Sequence, residues 1–140
     1  MIQHQLAISR GLATELFIVV AHNQDDHAKN IAFLMDKQGM RSLASAFDVT
    51  YGYQPAGSWT SMHQVTLNGM RDGFELADFI AVEKIAGLKR GQMKAILHDV
   101  QQVVLRWQDY ADAASVNEDR REKIQNALRL ESFLMQVNLQ

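Results

Sequence analysis

The segment His22-Asn23-Gln24-Asp25-Asp26-His27-Ala28-Lys29-Asn30 decides how the rest of the chain is read. It crowds two carboxylates, two imidazoles, an ammonium and side-chain amides into one short stretch, a density that folding alone does not demand. Upstream, about Leu6 to Val20 has the apolar recurrence of a helix, with Gly11 as its weak point. Downstream, Ile31 to Met35 and Leu43 to Phe47 are short apolar runs on either side of Asp36-Lys37-Gln38-Gly39, which predicts a β-hairpin. Gly52, Gly57, Gly69 and Gly73 then crowd into residues 50–73 with Tyr51, Tyr53, Ser58, Thr60 and Ser61, the composition of a long functional loop. Beyond it the period becomes helical again. Leu76, Phe79, Ile80 and Ile85 predict a helix that Gly87 ends, and Met93, Ile96, Leu97, Val100, Val104 and Trp107 put one apolar face on a helix from about Lys89 to Tyr110. Ile124, Ala127, Leu128, Leu134 and Met135 mark a terminal helix, with Ser115 or Asn117 as its N-cap. The expected fold is mainly α with one small hairpin. It is read as a single domain over 1–140: a first helix in 1–17, the candidate loop and hairpin in 18–50, the long loop in 51–73 and three helices in 74–140.

Three chemistries compete for the polar segment. In phosphoryl transfer by protein kinases, a catalytic aspartate stands five residues before a metal-binding asparagine, and a second metal-binding aspartate follows a short hairpin. Asp25 and Asn30 have that spacing, and Asp48 is expected to end the second hairpin strand. Asp25 would face a substrate hydroxyl, Asn30 and Asp48 would turn toward magnesium, and Lys29 would add positive charge near the transferred group. A transition-metal hydrolase would instead use His22, Asp25, Asp26 and His27, but the doublet runs Asp-His where HD-type phosphohydrolases have His-Asp. In the third reading the acids merely cap a turn and His27 packs locally.

The run Asn23-Gln24-Asp25-Asp26-His27-Ala28-Lys29-Asn30, followed by Ser45-Ala46-Phe47-Asp48-Val49-Thr50, closely resembles the C-terminal part of HipA-family serine/threonine kinases, the toxins of HipA/HipB toxin–antitoxin modules. The resemblance continues through Trp59-Thr60-Ser61-Met62-His63-Gln64, Leu67-Asn68-Gly69 and Arg71-Asp72-Gly73-Phe74 into the following helices. It implies a truncated C-terminal kinase lobe with Asp25 as catalytic aspartate and Asn30 and Asp48 as magnesium ligands. It also implies ATP as phosphoryl donor, protein substrates such as aminoacyl-tRNA synthetases, and a HipB-like antitoxin as partner. The chain departs from the family in three ways. It has no Gly-rich phosphate loop or upstream strand lysine, so a separate N-terminal kinase lobe is expected to supply them and Mg-ATP binding by this chain alone is expected to be weak or absent. Met70 stands where the family pattern leads one to expect lysine, and Met1 to Glu15 carries no part of the resemblance. The competing reading is a catalytically inactive helical interaction module or remnant.

Composition narrows the classes further. Hydrophobic residues are 47% and charged residues 21% of the 140, enough to build a core, and a formal charge of -2 excludes a strongly basic nucleic-acid-binding tail. The chain contains no cysteine, which removes disulfides, thiolate metal sites and cysteine nucleophiles and fits a cytoplasmic setting. Leu16 to Ala21, the longest apolar run, is too short to cross a bilayer. In the long loop Trp59, His63 and Arg71 either face a substrate or belong to an ordered surface loop that packs Trp59 on the helices. Trp107 and Met93 are expected in the core. Loss of a covering lobe predicts exposed apolar surface and hence a homo-oligomer or complex, with Leu12, Leu16 and Phe17 of the first helix as its first candidate contact.

Overall fold

A computed structural model describes residues 2–130, with side chains from residue 8 onward. Helix α1 (Ile2–Val20) is followed by a single 3-10 turn (Ala28–Asn30), a two-stranded antiparallel hairpin of β1 (Phe33–Met35) and β2 (Arg41–Leu43), and a long irregular stretch. Four helices come next: α2 (Leu76–Ile85), α3 (Gln92–Val104), α4 (Trp107–Ala113) and α5 (Glu118–Ala127). The fold is therefore mainly helical with one small hairpin, as the periodicity predicts. Among the described residues no helix is long and apolar enough to cross a membrane.

The core forms where α1 packs on α3. Leu16, Val19 and Val20 meet Met93, Leu97, Val100 and Val104, whose three- and four-residue steps keep them on one helical face, and Phe74, Leu76 and Phe79 close the cluster. Leu16 is thus interior, and Leu12 and Phe17 pack against the same cluster. Among the described side chains of the first helix, the three expected at an association surface are thus taken up by the core cluster. Large exposed apolar side chains lie elsewhere, four of them together on the hairpin: Phe33, Leu34, Met35 and Met40.

Helix α2 ends at the predicted glycine. Gly87 takes φ 64°, and the amides of Gly87 and Leu88 return to the carbonyls of Lys84 and Glu83, a closure that glycine makes without Cβ strain. The Glu83 carboxylate is buried and accepts from the Met93 amide at 2.9 Å, satisfying an otherwise unpaired donor in the first turn of α3. Asn117 caps α5 by accepting from the Arg120 amide at 2.9 Å, again as predicted.

Four expectations need correction. The helix from Lys89 to Tyr110 is two helices, because Arg106 at φ -84°, ψ 16° leaves helical geometry between α3 and α4. Trp107 therefore starts a new helix, is half-buried rather than core, and donates its indole N–H to the Arg121 carbonyl at 3.2 Å. Met93 is fully buried, as expected. The second hairpin strand is Arg41–Leu43 and not Leu43 to Phe47. Asp36 accepts from the Gln38 and Met40 amides and closes the turn, which sets Met35 opposite Arg41 and Phe33 opposite Leu43. Pairing must then run through 41–43, and residues 44–50 continue outside the ladder. Asp48 accordingly lies beyond the strand rather than at its end. Leu134 and Met135 of the predicted terminal helix lie outside the described residues.

Candidate functional site

The polar segment begins where α1 stops, and the stop is unusual. The Asn23 amide returns to the Ile18 carbonyl at 2.9 Å and the His22 amide to the Val19 carbonyl at 3.4 Å, with His22 at φ 58°. This closure normally takes glycine at the left-handed position, where a side chain costs about 1–2 kcal/mol. Interactions of the His22 ring oppose that cost. It stacks on Tyr53 with centroids 3.7 Å apart, and its Nδ1 and Nε2 lie 2.8 Å from the Ala127 carbonyl and an Arg129 nitrogen. Burial first, and the Arg129 charge second, hold the imidazole well below its ordinary range, at about 4.

Adjacent aspartates then diverge. Asp26 is 3% exposed, and both its oxygens are engaged: Oδ2 accepts from His63 Nδ1 at 2.8 Å and Oδ1 from the Gln64 amide at 2.6 Å. Burial alone would raise this carboxyl, but the hydrogen bonds from His63 and Gln64 outweigh it and the net shift is downward. The Asp25 side chain is 50% exposed, and His27 Nε2 stands 3.8 Å from its Oδ1. One carboxylate of the doublet is built into the fold, and the other is left at the surface.

The residues around Asp25 hold the loop in shape. Its amide is held by the side-chain oxygen of buried Asn23 at 3.2 Å, and its carbonyl accepts from Asn30 Nδ2 at 3.0 Å. Gly52 approaches so closely that a Cβ there would stand 2.5 Å from Asn23 Oδ1 and 3.2 Å from the Asp25 amide nitrogen. The long loop is thereby seated on the polar segment. Asn30 spends its NH2 group on Asp25, which leaves its carbonyl oxygen free to face a cation.

Asn30 and Asp48 line one crevice with Glu15, Asp26 and His27, a space of about 20 Å³ that is large enough for one water-sized body. Asp48 takes φ 55°, a strained value for a non-glycine residue. Burial, with the nearby Asp26 charge, raises the Glu15 carboxyl. Asn30 also lines a groove of about 1000 Å³ between α1 and the hairpin. Asp25 does not line the crevice that Asn30 and Asp48 share, and Lys29 is exposed on the 3-10 turn. The hydrolase constellation is not assembled: His22 is committed to Ala127 and Arg129, and Asp26 to His63 and Gln64. No group of three or more His, Cys, Asp or Glu suited to a metal occurs among the described residues.

Within the long loop the residues singled out by sequence part company. Trp59 is 77% exposed, so it does not pack on the helices, and His63 is fully buried. The Arg71 Nε donates to the His63 carbonyl. His63 is thus internal wiring and not a substrate-facing group. Reading by sequence spacing missed three participants. Glu15 carried a signal, an acid one position before the buried face of an apolar helix. Arg129 and the pairing of Asp26 with His63 carried none, because they join segments far apart in the chain.

No curated protein and no solved structure matches the chain. A family model described as the HipA-like C-terminal domain matches residues 3–107. That span takes in α1, including most of the Met1 to Glu15 segment in which no resemblance was legible, together with the polar segment, the hairpin, the long loop, α2 and α3. With the match covering well over half the sequence, the chain belongs to the HipA-like C-terminal domain family.

Proposed function

We propose that this domain carries the catalytic loop of a HipA-type serine/threonine protein kinase. The observation that carries the reading is the split doublet: Asp26 is fully hydrogen-bonded inside, while Asp25 keeps an exposed carboxylate on a loop pinned by Asn23, Asn30 and Gly52. In this role Asp25 accepts the proton of a substrate serine or threonine hydroxyl as its oxygen attacks the γ-phosphorus of ATP and the bond to the β–γ bridging oxygen breaks, releasing ADP. Asn30 and Asp48 would hold Mg2+, since an amide and a carboxylate oxygen on one crevice are the hard donors that ion prefers. When bound, Mg2+ would neutralise phosphate charge. Two donors from the chain are too few to hold the ion by themselves, so its retention would depend on the phosphates of ATP. The neighbouring groove has the volume of a small-molecule site. Lys29 supplies positive charge beside the transferred group.

These 140 residues contain no Gly-rich phosphate loop, so transfer needs a nucleotide-binding lobe from other sequence. The exposed apolar hairpin, Phe33, Leu34, Met35 and Met40, supports docking of such a body. The test is a labelled-ATP transfer assay on this chain alone and with a HipA-type N-terminal lobe added. The chain alone should transfer nothing, the pair should transfer, and Asp25→Ala should abolish that activity. Robust transfer by the chain alone, or transfer surviving Asp25→Ala in the pair, refutes the assignment. A pair that binds without any transfer favours the inactive interaction module.

A further inference from the structure

Arg129 follows α5 and lies beyond the span matched by the family. One guanidinium nitrogen is 2.9 Å from His63 Nε2, and the other is 2.8 Å from His22 Nε2 and 2.6 Å from Asp72 Oδ1. Its backbone amide donates to the Val20 carbonyl at 3.0 Å, and Leu130 beside it is buried in the core cluster. The segment after α5 is therefore strapped across the end of α1 and touches both loops of the site.

A guanidinium only donates, so both Nε2 atoms must accept and neither carries a proton. Each imidazole then holds its proton on Nδ1. That proton goes to the Ala127 carbonyl from His22 and to Asp26 from His63. With the His63 proton on Nε2 instead, a bare Nδ1 would face the Asp26 carboxylate, and the bond that engages this acid would become a repulsion. Asp26 already lines the crevice with Asn30 and Asp48, so its release would free a second carboxylate, beside that of Asp48, next to the proposed metal donors.

We infer that Arg129 is a positioning residue: by closing the Nε2 side of His22 and His63, whose Nδ1 protons go to Ala127 and Asp26, it completes the lock on their Nδ1–H tautomers, keeps Asp26 hydrogen-bonded and holds the polar segment and the long loop in one arrangement. Its effect on transfer rests on the kinase reading above; the tautomer lock does not.

The test uses the full chain, 15N-labelled, with long-range proton–nitrogen spectra of the imidazoles at pH 7.5. Wild type should show His22 and His63 as Nδ1–H, and Arg129→Gln should lose that form at one or both rings. In Arg129→Lys one ammonium nitrogen replaces two guanidinium nitrogens, so at least one ring should leave the Nδ1–H form. This variant decides the matter if Arg129→Gln does not fold. Nε2–H rings in wild type, or unchanged Nδ1–H rings in both variants, overturn the inference. With the N-terminal lobe supplied, Arg129→Gln should lower kcat at least tenfold with little change in the KM for the protein substrate. Altered tautomers with unchanged kcat would overturn the positioning role while leaving the site assignment intact. Absence of transfer in the wild-type pair counts against the kinase reading and leaves the tautomer result to judge the lock.

Discussion

Replacing each of two adjacent aspartates by alanine should have opposite consequences. Asp26 accepts two hydrogen bonds at 3% exposure, from His63 Nδ1 and the Gln64 amide. Asp26→Ala leaves two buried donors unpaired, and hydrogen bonds to a charged acceptor contribute about 1.5–3 kcal/mol each. The expected loss is about 3–5 kcal/mol, a large share of the total stability of an ordinary domain. At about 2.1 cal/mol/K per residue, a chain of 140 residues has an unfolding entropy of roughly 0.3 kcal/mol/K, so the melting temperature should fall by about 10–17 °C. The Asp25 side chain is half exposed, with His27 Nε2 at 3.8 Å from its carboxylate, and Asp25→Ala should stay within about 0.5 kcal/mol, or roughly 2 °C. Thermal melts followed by circular dichroism at pH 7, checked by urea titration, measure both. Equal destabilisation by the two variants, or a loss below about 1 kcal/mol for Asp26→Ala, would refute the division of the doublet into a structural and a free carboxylate.

Two further outcomes follow from the geometry. Gly52→Ala forces a Cβ to 2.5 Å from Asn23 Oδ1 and should cost about 1–3 kcal/mol by overpacking; Gly11→Ala, whose Cβ meets nothing closer than Leu43 Cδ2 at 3.8 Å, should gain about 1 kcal/mol in mid-helix, and melts showing the reverse order would contradict the close seating of the long loop. His22 is held at about 4 against an ordinary 6.5, so between those values the unfolded chain binds more protons and stability must fall as pH drops from 6.5 toward 4. Urea midpoints at pH 7 and 5 should therefore differ more in wild type than in His22→Asn, which tolerates the left-handed backbone; Glu15, whose raised carboxyl acts with the opposite sign above 4.5, is common to both and cancels. Parallel pH profiles would refute the buried neutral state of His22.

Much of the architecture was legible in the sequence because it depends on local rules. The steps from Met93 to Val104 gave α3 its buried face, and Gly87 and Asn117 marked helix ends that their backbone chemistry suits. The hairpin was placed correctly but its second strand was not, since the Asp36 turn fixes register and the apolar run at 43–47 does not. The break at Arg106 was invisible because the apolar period runs through it. In the candidate site, the spacing of Asp25 and Asn30 was readable as chemistry, and their contact through the Asp25 carbonyl is local to the loop.

Which aspartate of the doublet stays free was decided by tertiary structure. Asp25 and Asp26 are chemically identical, and the difference between them is made by His63, 37 residues away from Asp26, and by Arg129, 66 residues beyond His63. No period or motif encodes such a pairing. It exists because the end of α1, the long loop and the segment after α5 meet around His22 and His63, where burial makes every unpaired polar group costly and so dictates each partner. The sequence by itself determined the helices, the turn and the set of groups available for chemistry; the fold determined which of them were spent on holding it together.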